Sequence, residues 1–450
     1  MNILHYSIGC YPDRQGGLVR YSTDLALKQS KTNNVFYLFP GKLGFVDKKV
    51  KIIKDNRIHS SNLYCFRIDN AHPIPLYSGI TNVGLYTREV DEQIYIDFLR
   101  IHRIKVLHVH SLMGLHIELL QAAHKLRIPI LMTTHDFFGL CPVTTLFKDG
   151  KICCNNSINS QCFSCSQRAL SYSKLALGQS ALYKKIKHIN VVGKIRKNAL
   201  VSKTKISTTS KRIENKIPNY EKLEKYYRKC FSLIDYYLFN SSQTKEVFES
   251  RLGHLPGEIL YISLSSIVDR RKKRSFLKDD TLHIGFMGDC TDFKGYYVLR
   301  QAVERLINDG YRVELDVYND NSEQNSFIVR KGKYTSNQLK RIYDFLDVIV
   351  VPSLWYETLS FIAIEAISAG MPCIVSDHVG AKTFIKNEQN GFIVSAGRVG
   401  ALIDCLQRIL NCPEKLYSVN SIILNEPMLF DFIIHCNKIT AIYKGVLNDR

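Results

Sequence analysis

Two glutamates, Glu357 and Glu365, stand eight residues apart in PSLWYETLSFIAIEAISAGMPCIVSD (Pro352–Asp377). Carboxylates accept hydrogen bonds from hydroxyl groups. The apolar run Asp347–Val351 before them reads as a buried strand. A loop follows, then an apolar helix that stops at Gly370 with Pro372 just beyond. Eight residues is a little over two helical turns, so both acids could face one side of the loop–helix junction. The helix start would aim unused backbone N–H groups at the same place. Acids beside an anion-binding helix end suit a ligand carrying hydroxyls and phosphates, which is the chemistry of a nucleotide-sugar. Taken without its neighbours, the pair is equally two surface acids on an ordinary helix.

The elements that must position these residues are strands alternating with helices. Asn2–Tyr6, Asn34–Phe39, Lys105–His110, Ile130–Thr134 and Asp235–Asn240 read as strands, with helices after Gly16-Gly17, over Gly114–Leu126 and over Ser242–Leu252. A second series starts near Thr281: strand Leu282–Met287, helix Gly295–Asp309, strand Arg312–Val317 and helix Ser336–Phe345. The run Arg270–Arg274 has the composition of an exposed linker. Two doubly wound halves with a cleft at their strand ends follow from this order. Residues 1–268 form an N-terminal domain with a cysteine-containing loop (141–165) and a basic insert (about 166–229). Residues 275–428 form a C-terminal domain, and 429–450 a closing helix packing back on the N-terminal domain.

The 450 residues are 45% hydrophobic with a net charge of +20, enough for two full cores. No stretch has the length of a transmembrane helix and the start reads as a strand rather than a leader. Thirteen cysteines without a leader point to a reducing, cytoplasmic compartment. Lys184–Lys229 carries 15 Lys and Arg against three acids. Such a patch attracts nucleic acid, anionic lipid or a pyrophosphate-bearing acceptor, or is a solvated insert.

Three further groups could do chemistry. Gly16-Gly17 sits at a strand-to-helix turn, where glycine lets backbone approach a phosphate; it is equally a plain tight turn. His135, in TTHDFFGLCP (Thr133–Pro142), ends a strand where ligand contacts gather in α/β sheets; His108 and His110 in VLHVHS read as packing residues. Cys141, Cys153 or Cys154, Cys162 and Cys165 could surround a structural zinc ion, or be reduced loop thiols.

The order Pro352-Ser353, an aromatic loop, Glu357-Thr358, Glu365-Ala366 and Gly370-Met371-Pro372 resembles the glutamate–seven–glutamate signature of retaining glycosyltransferases, particularly family 4. That resemblance implies an α/β GT-B fold: two Rossmann-like domains facing each other across a cleft. It implies Glu365 on the nucleotide ribose, Glu357 on the donor sugar hydroxyls, and His135 near that sugar. Amides near Leu359, Ser360 and Phe361, with Gly16, Gly17 and Lys294, would serve the diphosphate. Lys294 follows Gly285-Phe286-Met287-Gly288, but Asp289 stands where the family usually has Arg, which puts activity or the usual donor geometry in doubt. Thr383 replaces the Glu of the glycine-rich loop in VGAKTFIKNEQNGFIV (Val379–Val394). A subset of the family shares the Cys-Pro and Cys-x-x-Cys insert. The implied partners are a nucleoside diphosphate sugar and a glycan or lipid-linked acceptor, with an anionic membrane surface at the basic insert. No nucleic acid and no catalytic cofactor are expected. Two rivals remain: a basic nucleic-acid-binding protein, which leaves the glutamate pair unexplained, and a catalytically impaired partner subunit.

Overall fold

The computed structural model describes residues 1–153, 155–180, 217–319 and 322–448. The chain divides into two compact units. One comprises Met1–Thr144, Asn155–Tyr237 and Gly445–Arg450; the other comprises Thr145–Cys154 and Leu238–Lys444. Most of the basic insert, 181–216, lies outside the described residues.

In the first unit, alternating apolar runs form β1 (Asn2–Tyr6), β2 (Asn34–Pro40), β3 (Lys51–Ser60), β4 (Leu63–Asp69), β5 (Val106–Val109) and β6 (Ile130–Thr134). The hairpin β7 (Phe147–Lys148) and β8 (Lys151–Ile152) follows in the chain but groups with the second unit. β9 (Tyr236–Phe239) then carries the chain toward the second unit, before β10 (Gly257–Ile259). The large sheet has the order β10-β9-β6-β5-β1-β2-β4-β3. Its β1–β2, β1–β5, β2–β4 and β5–β6 pairs are parallel, and β3 runs antiparallel to β4. Parallel neighbours need crossover helices, supplied by α1 (Gly17–Gln29), α2 (Gln93–Ile101) and α3 (Ile117–Lys125). Ile3, Leu4, Leu107, Val109, Ile130 and Leu131 are fully buried, as expected of strands covered on both faces.

Among the described residues, this unit continues with α4 (Cys162–Cys165), α5 (Tyr172–Gln179) and α6 (Tyr220–Ser232). α6 is a core element despite its charge. The Tyr220 hydroxyl donates to the Ile80 carbonyl at 2.6 Å, and the Tyr226 oxygen accepts from the Ile117 amide at 2.9 Å. Its outer face pairs Glu221 with Lys225 and Glu224 with Arg228, one turn apart.

The second unit contains a six-stranded sheet, β13 (Ile328–Arg330), β12 (Val313–Val317), β11 (Leu282–Phe286), β14 (Val348–Val351), β15 (Cys373–Ser376) and β16 (Phe392–Val394) in spatial order. Every neighbouring pair is parallel. α7 (Ser242–Leu252), α8 (Tyr296–Asn308), α9 (Leu339–Phe345), α10 (Phe361–Ser368), α11 (Val399–Asn411), α12 (Glu414–Asn425) and α13 (Phe432–Asn448) complete it. Ile284, Leu315, Val348, Leu299, Val303 and Leu406 lie in one apolar cluster.

Two readings need correction. Residues 238–268, placed with the N-terminal domain on sequence, group with the second unit, because α7 and its cap hydrogen-bond the backbone around Thr358 and His378. Arg270–Arg274 is not a simple exposed linker. Arg274 is 7% exposed, and its guanidinium donates to the Ala369 carbonyl at 2.6 and 3.0 Å and to the Tyr343 carbonyl at 2.5 Å. A helix end leaves carbonyls without intrahelical donors, and Arg274 supplies them behind α10.

Candidate functional site

The loop between β14 and α10 sets Glu357. This residue lies in extended backbone four residues before α10, so helical spacing does not relate it to Glu365. Its main chain is clamped: the Glu357 amide donates to the His378 carbonyl at 3.0 Å, and the Gly380 amide donates to the Glu357 carbonyl at 2.8 Å. Next door, the Thr358 carbonyl accepts from Ser241 Oγ at 2.6 Å and Thr244 Oγ1 at 3.0 Å, while Gln243 Nε2 holds the His378 carbonyl at 2.8 Å. Gly380 is required here, since a Cβ would lie 2.1 Å from the Thr358 carbonyl oxygen.

The Glu357 carboxylate is held from two sides. Ser353 Oγ donates to Oε2 at 2.6 Å, and Lys294 Nζ reaches the same oxygen at 3.0 Å. Lys294 also lies 5.1 Å from the Trp355 ring centroid. Gly295 allows this approach: its φ is +74°, and a Cβ would stand 1.9 Å from the Pro352 carbonyl oxygen. The arrangement brings a cation, a hydroxyl and a carboxylate together beside the start of an apolar helix. Ser360 caps that helix by accepting from the Ala363 amide, while the N–H groups of its first turn point outward along its axis. Glu365 lies half-exposed on α10, and its charge, after burial itself, helps push the Tyr343 hydroxyl's pKa up.

Leu359 is buried and Phe361 half-exposed at the helix start. Asp289 is exposed, and Asn319 Nδ2 donates to its carboxylate at 3.2 Å and to the Gly288 carbonyl at 2.9 Å. Thr383 accepts from the Ser242 amide and donates to the Gly380 carbonyl, so it fastens the clamp rather than standing as an open polar group.

In the first unit, Gly16 (φ +131°) precedes α1, with Gly17 its first residue; a Cβ on Gly16 would meet open space. His135 follows β6, half-buried, its ring 4.7 Å from that of Tyr21. Its Nε2 is 3.4 Å from His110 Nδ1. Asp136 accepts from Ser111 Oγ and the Phe138 amide, yet burial raises its carboxyl to about 6. His108 and His110 are fully buried. Sequence reading missed their partner His5, although β1 and β5 pair with His5 opposite His108. It also missed Ser353 and Trp355 as neighbours of Lys294; their place inside the glutamate motif was the available signal.

Of the cysteines expected to surround a metal ion, Cys141, Cys153, Cys162 and Cys165 are described and Cys154 is not. Among the described residues, the groups of three or more potential ligand atoms within 4.8 Å are His5, His108, His110 and His283, Glu314, Asp316. Either could hold a metal ion; the four cysteines form no such group. Cys162 and Cys165 flank a single helical turn beside Tyr220, whose hydroxyl pKa they help raise after burial. Cys153 belongs to the β7–β8 hairpin of the other unit, and Cys154 lies outside the described residues. In the second group Lys331 lies 2.8 Å from Asp316, and a hydrogen bond to Asp316 raises His283 to about 9.

Comparison with known proteins addresses this geometry. Residues 281–412 match the family described as glycosyl transferases group 1. An Escherichia coli UDP-Gal:alpha-D-GlcNAc-diphosphoundecaprenol alpha-1,3-galactosyltransferase is 31% identical over 109 residues, covering 24% of this chain and 27% of that protein. Staphylococcus aureus CapJ is 26% identical over 188 residues, 37% of this chain and 46% of that one. This chain thus spans less than half the length of these curated relatives. Across whole chains, sucrose-phosphate synthase from Thermosynechococcus elongatus superposes with a TM-score of 0.59 at 15% identity, covering 100% of both. Anabaena HepE in complex with UDP-glucose gives 0.58 at 12%, covering 99% of this chain and 100% of that one. The fold is GT-B. At these identities the likeness is one of fold, and the two GT-B sheets are the six- and eight-stranded sheets described above. Among the described residues, no helix is long and apolar enough to cross a membrane.

Proposed function

We propose that this chain is a retaining glycosyltransferase that moves a hexosyl group from a nucleoside diphosphate sugar to a lipid-linked glycan acceptor in surface polysaccharide assembly. The observation that carries the reading is the Lys294–Glu357–Ser353 group, built within residues 281–412. Glu357 takes the donor sugar hydroxyls and Glu365 the nucleotide ribose. Lys294 and the amides at Leu359, Ser360 and Phe361 hold the diphosphate, whose growing charge on bond cleavage a fixed cation stabilises. The family resemblance also assigns Gly16, Gly17 and His135 to the donor. The acceptor hydroxyl attacks the face from which the diphosphate departs, and the leaving phosphate takes its proton, so no protein base is required.

Relatives named for a UDP-Gal-dependent galactosyl transfer to a diphosphoundecaprenol acceptor and, in Staphylococcus aureus, for capsular polysaccharide biosynthesis support both donor and acceptor class. An exposed surface supports a membrane-borne acceptor. Phe45 and Val46 (96% exposed) in the loop after β2, and Leu177 on α5, stand out among Lys42, Lys48, Lys49 and Lys174. Tyr172 of α5 joins the two segments by donating to the Gly44 carbonyl at 2.6 Å. Apolar tips ringed by lysines suit an anionic bilayer.

A panel of UDP- and GDP-sugars tests the donor reading by thermal stabilisation and by hydrolysis. One nucleotide series should stabilise the protein, and Glu357→Ala should abolish hydrolysis. No stabilisation by any member refutes the reading. Asp289, in the position usual for Arg, favours a second one: a catalytically impaired partner subunit. Donor binding without hydrolysis by the wild type would select it.

A further inference from the structure

We propose that Gln29, His5 and His110 form a positioning relay that fixes the tautomer of His135, making its Nε2 the donor and its Nδ1 the acceptor. The relay gains catalytic meaning from the reading of His135 as a neighbour of the donor sugar.

The links are continuous. Gln29 Oε1 lies 2.8 Å from His5 Nε2, His5 Nδ1 lies 3.0 Å from His110 Nε2, and His110 Nδ1 lies 3.4 Å from His135 Nε2. An amide oxygen only accepts, so His5 must carry its proton on Nε2. A neutral imidazole has one donor and one acceptor, so His5 Nδ1 accepts and His110 Nε2 donates. The same step repeats: His110 Nδ1 accepts, and His135 must present Nε2–H. Neutrality of the two inner rings follows from their place. Both are fully buried, and in each bond between two ring nitrogens one of them must be an unprotonated acceptor, which makes His5 and His110 neutral. His108 Nε2 lies 2.8 Å from Thr133 Oγ1.

Gln29 is the polarity-setting end. It is 3% exposed on the last turn of α1, the helix that begins at Gly17. Its Nε2 is buried without a hydrogen-bond partner, and turning the amide over would reverse every link and move the His135 proton to Nδ1. The sign of the relay is therefore measurable. His5, His108 and His110 also offer ring nitrogens within 4.8 Å of one another, so a bound metal ion is the competing use of these rings.

The test is long-range 1H–15N correlation on the full-length protein labelled in its histidines. The wild type should show His135 and His110 as Nε2–H tautomers, and Gln29→Leu and His110→Phe should each turn His135 into a mixture. His135 protonated on Nδ1 in the wild type overturns the relay, as does a His135 tautomer unchanged in both folded variants. Stoichiometric Zn2+ held by His5 and His110 overturns it too. Should His110→Phe fail to fold, the wild-type spectrum and Gln29→Leu still decide. These spectra do not depend on turnover of a nucleotide-sugar, so the relay and the donor reading fail separately.

Discussion

Lys294 has two roles that one substitution cannot separate. It neutralises Glu357 at 3.0 Å, and it is proposed to hold the donor diphosphate. At an effective dielectric near 20, unit charges at this distance attract by roughly 5 kcal/mol before desolvation. The side chains are 26% and 13% exposed, so most of that gross attraction is offset. Removing Lys294 alone leaves the Glu357 carboxylate with Ser353 and the solvent, and Lys294→Met should cost about 2 kcal/mol of stability. In Lys294→Met/Glu357→Gln the charge is gone and Ser353 can still donate to the amide oxygen. The double variant should recover about 1 kcal/mol relative to additivity.

Binding separates the two roles. Whichever of UDP and GDP stabilises the wild type should bind Lys294→Met about 10- to 100-fold more weakly, about 1.4–2.7 kcal/mol, while the bare nucleoside binds unchanged. The double variant should regain stability but not diphosphate affinity. Calorimetric titration of diphosphate and nucleoside, with urea unfolding of the wild type, Lys294→Met, Glu357→Gln and the double variant, reads both cycles. Full recovery of diphosphate binding in the double variant would refute the argument, because Lys294 would then serve only to hold Glu357.

Three other outcomes follow from the geometry. Gly295→Ala, which combines a φ of +74° with a Cβ 1.9 Å from the Pro352 carbonyl oxygen, should lose about 3 kcal/mol in urea unfolding. Gly400→Ala, within α11 with no atom within 4 Å of the new Cβ, should lose none. His283 faces Asp316, Asp279 and Glu314, with Lys331 on Asp316 and Asp347 nearby. Its folded pKa of about 9 exceeds the unfolded 6.5, so its stabilisation is complete below pH 6.5 and lost as pH rises through 9. The stability gap between wild type and His283→Gln, about 1–2 kcal/mol after solvent screening of Asp279, should close over that window. Phe45→Ser/Val46→Ser should reduce sedimentation with phosphatidylglycerol vesicles at least several-fold without moving the thermal midpoint; unchanged binding removes this surface from the membrane reading.

Local pattern made much of the second unit legible. Gly370 with Pro372 marks the end of α10, and the apolar run before Pro352 becomes β14 with all four residues buried. Such signals reside in a few consecutive residues. The β3–β4 hairpin was not read, because its alternation is broken by Lys54, Asp55 and Asn56 and its register shifts between Asp55 and Ser60. The clamp on Glu357 was also invisible: Ser241 and Gln243 lie more than a hundred residues upstream, and nothing in SSQT announces partners at Thr358 and His378. Arg274 looked solvent-facing by composition, since a basic run carries no sign of the carbonyls it will meet. His5 was passed over for the same reason; strand register, not spacing, sets it against His108.

The two glycines around Glu357 show why a loop acid can be as well placed as one on a helix. At Gly295 the backbone passes under the Pro352 carbonyl, and at Gly380 it passes under that of Thr358. The segment bearing Glu357 is thus gripped at both ends by main chain that only glycine lets approach. Between the grips, the Glu357 amide and carbonyl are both spent on the segment from His378 to Gly380. That leaves the carboxylate little freedom beyond its own side-chain torsions, and Ser353 and Lys294 restrict those as well. A group held this way orders at folding rather than at binding, so the ligand meets an acid whose entropy is already lost. The β14–α10 loop therefore works as part of the sheet, and substitutions at Gln243 or Thr244, which touch no proposed ligand atom, should weaken donor binding through the position of Glu357 alone.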